Sequence, residues 1–187
     1  MIKRIFDLGF SFILLFVCAI PIVLISVVIK LTSKGPAIHW SKRVGQWNNI
    51  FLMPKFRSMT VDTPQVATHL LTTTKSYVTP FGAFLRKTSL DELPQLWSVF
   101  VGDMSFVGPR PALFNQDDLV ALRSQYGIES LRPGVTGWAQ VNGRDELSIP
   151  VKVQFDKEYL ENKSFWLDIK IIFMTFVKVF LAEGIKH

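Results

Sequence analysis

A chain of 187 residues holds one domain with a real core and is too short for two ordinary domains plus a membrane segment. It is 49% hydrophobic with a mean hydropathy of +0.28, yet carries 21 Lys and Arg against 15 Asp and Glu, a net charge of +6 that suits an anionic membrane surface. Its basic residues form no run or helical stripe, which argues against nucleic acid. Cys18, the single cysteine, excludes an internal disulfide or thiolate metal site; His39, His69 and His187 are too dispersed for zinc, so any metal is a hard cation, magnesium foremost, held by carboxylates and phosphates.

From Leu8 to Ile29 the sequence runs uncharged for about 22 residues, and as a straight helix it would cover about 33 Å, enough to cross a bilayer. The run exceeds the apolar core of a signal peptide, and no cleavage pattern follows it. Lys3 and Arg4 flank one end and Lys30, Lys34, Lys42 and Arg43 the other, so both ends carry cytoplasmic marks. Pro21 removes a hydrogen bond in the middle of the run and clashes with the carbonyl of Val17, which predicts a bend there. A re-entrant helix entering and leaving by one leaflet and a kinked spanning helix both fit these features.

The turn Ser33-Lys34-Gly35-Pro36 ends the run, and the short pieces AIHW and IFLMPKFRSM read as strands or extended segments. The Thr-rich stretch from Val61 to Ser76 reads as a loop or weak helix and as a mobile insert. Helical spacing returns from Pro80 to Gly102, with Gly102 as the stop. DMSFVGPRPALF, with prolines on both sides of Arg110, is a stiff extended turn. A helix is expected from Gln116 to Tyr126, then a glycine-rich loop with a short strand in RPGVTGWAQVNGR. The stretch from Val151 to Leu181 reads as two helices broken near Asn162 to Ser164. In the second, Asp168, Thr175, Lys178 and Lys186 share one narrow stripe and apolar residues cover the rest. Such a helix lies in a membrane interface or in a core.

Asp91 and Glu92 are adjacent carboxylates in SLDELPQLW. Ser89 as helix cap would make Glu92 the close of a capping box but would bury Pro94 too deep; Asp91 as cap places Pro94 in the first turn, where its missing donor costs nothing. At that position the dipole and free donors would keep Asp91 ionised and attract phosphate. An ionised carboxylate can also attack phosphorus and form an acyl phosphate. Cap and nucleophile are both open readings of the pair. Lys55, Arg57, Arg86, Lys87, Arg110, Arg132 and Arg144 form a set of cations that matches the charge of a diphosphate better than any one of them could. No P-loop, dinucleotide fingerprint or nucleophile elbow is present.

Across nearly its whole length the chain resembles the bacterial sugar transferases of the small monotopic phosphoglycosyl transferase kind. The resemblance is carried by KRIFDLGF, SKGPAIHWSKRVGQ, KFRSM, FGAFLRKTSLDELPQLWSVFVGDMSFVGPRP, LRPGVTGWAQVNGR and FDKEYLENKSFWLDIKIIFMTFVKVF. It implies an α+β fold with a re-entrant membrane helix broken at Pro21 (residues 1–34). A cytosolic, membrane-apposed unit with irregular loops and interfacial amphipathic helices follows (35–187). Ile20-Pro21 stands where members often carry Ser-Pro. The implied reaction moves a sugar-1-phosphate from a UDP-sugar to polyprenol (undecaprenyl) phosphate at the cytoplasmic face of the bacterial inner membrane, with release of UMP. Asp91 would be the nucleophile and Glu92 its partner in binding Mg2+ or in proton transfer, with magnesium between Asp91 and the diphosphate. Arg110 would hold phosphate, Lys55 and Asp156 would serve and orient the charge network, and the RPGVTGWAQVNGR turn would hold the nucleotide or the floor of the site. Membrane lipid, downstream glycosyltransferases and a second copy of the chain are the further partners to consider. A membrane-anchored scaffold for glycan-assembly enzymes, without chemistry of its own, is the competing reading, and the intact Asp-Glu pair within a basic ring argues against it.

Overall fold

The computed structural model describes residues 1–63, 77–143 and 147–180, so Arg144 and most of the Thr-rich stretch lie outside the described residues. Helices and short strands are mixed, consistent with an α+β chain. The apolar N-terminus folds as two helices, α1 (Ile2–Val17) and α2 (Ala19–Thr32), bent by 58°. No single described helix is long and apolar enough to cross a membrane; the bent pair taken together has the length and composition of a broken span or a re-entrant loop. The break falls at Cys18 and not at Pro21, where the sequence led us to expect it. A proline disturbs the carbonyl one turn before itself, so the helix parts ahead of Pro21, which then sits in the first turn of α2, where no donor is missed.

One stripe of α1, with Lys3, Arg4, Asp7, Phe10, Ser11 and Leu14 at helical spacing, turns inward, while Ile5, Leu8, Phe12, Ile13 and Phe16 stay exposed. The inward polar groups are all used. Lys3 Nζ donates to Val107 O (2.9 Å), Tyr159 Oη (2.9 Å) and Asp168 Oδ2 (2.7 Å), and Asp7 Oδ1 accepts from Phe106 N (3.2 Å). Arg4 donates to Val99 O (2.7 Å) and Phe100 O (2.8 Å), late carbonyls of the helix Gln95–Val101 that lack helical partners. At the other end of the pair, Ile29 is buried with Phe56 and Leu85. Both ends of the bent pair therefore rest on the same globular unit.

That unit begins with an antiparallel hairpin, β1 (Ile38–Val44) and β2 (Ile50–Phe56), registered so that His39 faces Lys55. Helix α3 (Pro80–Lys87) starts where Thr79 Oγ1 accepts from Gly82 N (3.0 Å), with proline in the first turn. A three-residue 3-10 turn, Leu90–Glu92, leads into α4 (Gln95–Val101), which Gly102 closes at φ 102° as expected. The helical stretch from Pro80 to Gly102 is thus two helices, parted where Ser89 takes a left-handed conformation (φ 57°).

The stiff segment after Gly102 forms β3 (Ser105–Val107), and the glycine-rich loop supplies β4 (Gly134–Thr136), paired in parallel across the helix α5 (Asp117–Gln125). The backbones meet closely at Gly134. A Cβ there would lie 2.1 Å from Gly108 N, 2.3 Å from Thr136 O and 2.7 Å from Gly108 O, all main-chain atoms that cannot swing aside. Gly134→Ala is expected to cost about 2–3 kcal/mol, read as a lower urea midpoint at unchanged slope for the detergent-solubilised protein.

A short helix α6 (Trp138–Val141) precedes α7 (Ile149–Asn162) and α8 (Phe165–Phe180), which are separated at the break expected from the sequence. Helix α8 is inside out. Asp168 and Thr175 of its polar stripe face the protein, Asp168 on Lys3 and Tyr159 and Thr175 on Thr136 (2.7 Å), while Trp166, Phe173 and Phe176 are exposed; Lys186 lies outside the described residues. It is not an ordinary core helix.

Candidate active site

The site gathers around the 3-10 turn between α3 and α4. The Ser89 hydroxyl makes no capping bond, and Asp91 lies inside the turn and not ahead of it, so neither capping arrangement expected from the sequence forms. The chain avoids both because bonds spanning three residues (Glu92 N to Ser89 O, 3.2 Å; Leu93 N to Leu90 O, 3.2 Å) pass over Pro94 without requiring its missing donor.

Glu92 is held from two sides. Its Oε1 accepts from Lys55 Nζ (2.8 Å), which rises from β2, and from Arg110 Nη2 (3.3 Å), on the segment between two prolines. Burial alone would push the Glu92 carboxyl up, but Lys55 and Arg110 outweigh it and hold the group far below the ordinary carboxylate range. Lys55 is pushed down by its own burial, with Glu92 opposing that shift. Glu92 is thus a fixed anion in a charge-assisted cluster.

Asp91 differs. It is partly buried, and among the described residues it makes no hydrogen bond or ion pair. Burial pushes its carboxyl up to about 6, only partly countered by Lys55, while Glu92 adds to the rise and Arg86 and Arg110 pull it back. The expectation that a helix start keeps Asp91 firmly ionised is therefore corrected: desolvation and a neighbouring anion dominate, and no helix begins on it. What results is an unbonded carboxylate that titrates near neutrality, with cations within electrostatic reach and a second carboxylate beside it.

The other candidates divide. Lys55, Arg86 and Arg110 surround Asp91 electrostatically. Arg57 is buried, and Nη2 donates to Ser33 O (3.0 Å) and Ser33 Oγ (2.8 Å) at the end of α2, away from Glu92. Arg132 makes no hydrogen bond or ion pair with described residues, although its carbonyl lies where a Cβ on Gly108 would meet it at 2.2 Å. Asp156 is 2% exposed and binds Arg123 through Nε (3.0 Å) and Nη2 (2.7 Å), so it is no direct phosphate ligand. Arg123 was missed in the sequence. Its Nη1 donates to Arg110 O (2.9 Å), and Arg43 Nη1 donates to Pro111 O (3.2 Å), so the loop carrying Arg110 is anchored at successive carbonyls. Four residues after buried Leu119, on the inward face of α5, Arg123 was discoverable from helical spacing.

Among the described residues no cluster of three or more carboxylate, histidine or cysteine side chains could enclose a metal by itself. Two adjacent carboxylates, one unbonded, nevertheless match the donor set of a magnesium ion that takes its remaining ligands from phosphates and water.

Residues 1–182 match the family model described as bacterial sugar transferase. The uncharacterized sugar transferase EpsL of Bacillus subtilis (strain 168) is 38% identical over 186 residues, covering 100% of this chain and 91% of EpsL. The UDP-glucose:undecaprenyl-phosphate glucose-1-phosphate transferase of Escherichia coli (strain K12) is 38% identical over 98% of this chain, and the undecaprenyl-phosphate galactose phosphotransferase of Salmonella typhimurium is 37% identical over 98% of it. The chain spans only 41% of the length of each of these two larger proteins.

Proposed function

Since the chain belongs to the bacterial sugar transferases, we propose that it moves a hexose-1-phosphate from a UDP-sugar, such as UDP-glucose or UDP-galactose, to undecaprenyl phosphate. This would be an early membrane step of glycan assembly. The observation that carries the reading is the pairing of an unbonded Asp91 with a Glu92 fixed by Lys55 and Arg110.

In the first half-reaction an Asp91 oxygen attacks the β-phosphorus. The bond from that phosphorus to the bridging oxygen breaks, UMP leaves with the electron pair, and a phospho-sugar aspartate remains. In the second, a phosphate oxygen of the lipid attacks the same phosphorus and Asp91 departs as carboxylate. Arg86 and Arg110 take charge on the diphosphate, and Lys55 keeps Glu92 in place. Asp91 and Glu92 would hold Mg2+, which supplies Lewis acidity and reduces repulsion between carboxylate and diphosphate. Because Glu92 is held ionised, it suits cation binding better than proton donation.

The bent pair α1–α2, within residues 1–34, is read as a re-entrant element, with residues 35–187 on the cytoplasmic face of the inner membrane. Support comes from both of its ends: Lys3 and Arg4 at one, Ile29 and Ser33 at the other, all bonded or packed to one unit. The outward aromatic face of α8 gives that unit a second apolar contact with lipid.

Incubating the protein with UDP-glucose or UDP-galactose labelled at the β-phosphate, without lipid, should release about one UMP per chain and leave the label on protein. UMP release that requires lipid, with unlabelled protein throughout, would replace the covalent route by direct transfer.

A further inference from the structure

Arg57 carries donors that the reaction centre does not use. It follows β2 two residues after Lys55, so strand alternation places both side chains on one face. Lys55 reaches Glu92, whereas Arg57 reaches back to Ser33, where α2 ends. Only Nη2 is bonded. Nε and Nη1 are buried with no hydrogen-bond partner, and the residue as a whole is 6% exposed. A guanidinium does not shed its proton to escape this, and no carboxylate among the described residues pairs with it. Unpaired buried charge is costly enough that a built-in counter-group is expected in the working protein.

Nη1 is packed closely against Gly35 and near Val61: a Cβ on Gly35 would stand 2.3 Å from Nη1 and 2.9 Å from Val61 Cγ1, so a counter-group reaches Nη1 by moving Val61 aside. Val61 is 60% exposed, and displacing it forfeits little burial. Arg57 is absent from the groups that act electrostatically on Asp91, so it stands apart from the cations assigned to the diphosphate. It stands instead between the end of the membrane helix and the strand that holds Glu92.

We infer that Arg57 Nη1 receives the phosphate monoester of the polyprenol acceptor while Nη2 keeps its hold on Ser33. The inference rests on the transfer reaction proposed above. A lipid phosphate arriving from the α2 side would meet a charged donor already desolvated, next to the strand that leads to the reaction centre, and charge-assisted bonds to phosphate are strong in such surroundings.

The test separates the two half-reactions in the full-length protein, held in nanodiscs with Mg2+. For Arg57→Gln, the acceptor KM for undecaprenyl phosphate should rise about tenfold or more, with the KM for UDP-sugar and the lipid-independent UMP burst close to wild type. Arg57→Lys, which keeps a cation but lacks Nη1, should fall between, and it carries the measurement if the glutamine variant does not fold. An unchanged acceptor KM, or burst and transfer falling in parallel, overturns the inference. So does an effect seen only with phosphatidylglycerol and not with phosphatidylcholine nanodiscs, which would assign Arg57 to bulk anionic headgroups. A missing burst in the wild-type protein would instead remove the covalent reaction, independently of Arg57.

Discussion

Asp91→Asn is expected to lower transfer and the lipid-independent burst by at least about a thousandfold while making the protein more stable at neutral pH. The first effect follows from the amide's inability to displace UMP. The second follows from burial. The folded carboxyl keeps its proton up to about pH 6, whereas the reference value is 3.8. Between these values the folded state binds more protons than the unfolded state, so wild-type stability falls as pH rises through that window and is level above it. Asparagine does not titrate and escapes this loss, which amounts to about 1–3 kcal/mol above pH 6. Urea unfolding in EDTA, from pH 4 to 8, should show the two proteins diverging across the window and running parallel beyond it. A variant that is inactive and also less stable would mean that Asp91 serves the turn's structure first.

The bent helix pair and α8 show what the sequence could and could not disclose. The stripe containing Asp168 and Thr175 was visible as a period, yet a period identifies a face without saying which side meets solvent. Only the bonds to Lys3 and Thr136 turn that stripe inward and leave Trp166 and Phe173 outside. The bend before Pro21 was readable to within a turn, because proline acts through the carbonyl behind it. The partnership of β3 and β4 was not readable: strands as short as Ser105–Val107 carry no periodicity, and their parallel pairing depends on close backbone approach at Gly134.

The same limit governs the charges. Composition in the turns identified a cationic ring, and Lys55 and Arg110 do meet Glu92 from sequence distances of 37 and 18 residues. Nothing in local spacing told Arg57 to face Ser33, or Asp156 to face Arg123. Nor did the left-handed Ser89 announce itself, since serine has no special preference for that conformation. That one residue moves Asp91 from helix cap to the interior of a 3-10 turn, and with it the source of its raised pKa.

Asp156→Ala should destabilise the protein by about 3–5 kcal/mol, because it strands a buried guanidinium. Asp156 and Arg123 are 2% and 8% exposed, and their contacts of 2.7 and 3.0 Å leave little room for water to compensate. Loss of activity in this variant alone would be uninformative, since an unfolded enzyme transfers nothing. The decisive comparison is Arg123→Met with Asp156→Leu in one chain, which replaces the ion pair by apolar groups of similar volume and should recover most of the stability. It cannot recover the bond from Arg123 Nη1 to Arg110 O, 2.9 Å in the wild-type protein. The loop carrying Arg110 would then lose one anchor while keeping its prolines, the bond from Arg110 to Glu92 and the bond from Arg43 to the next carbonyl. If Asp156 acts through that anchor, the stable double variant should show a reduced rate of UMP release, about tenfold, with the thermal midpoint near wild type. Full activity in a fully folded double variant would mean that Arg110 is aimed without the Arg123 anchor, and that the buried pair serves stability alone.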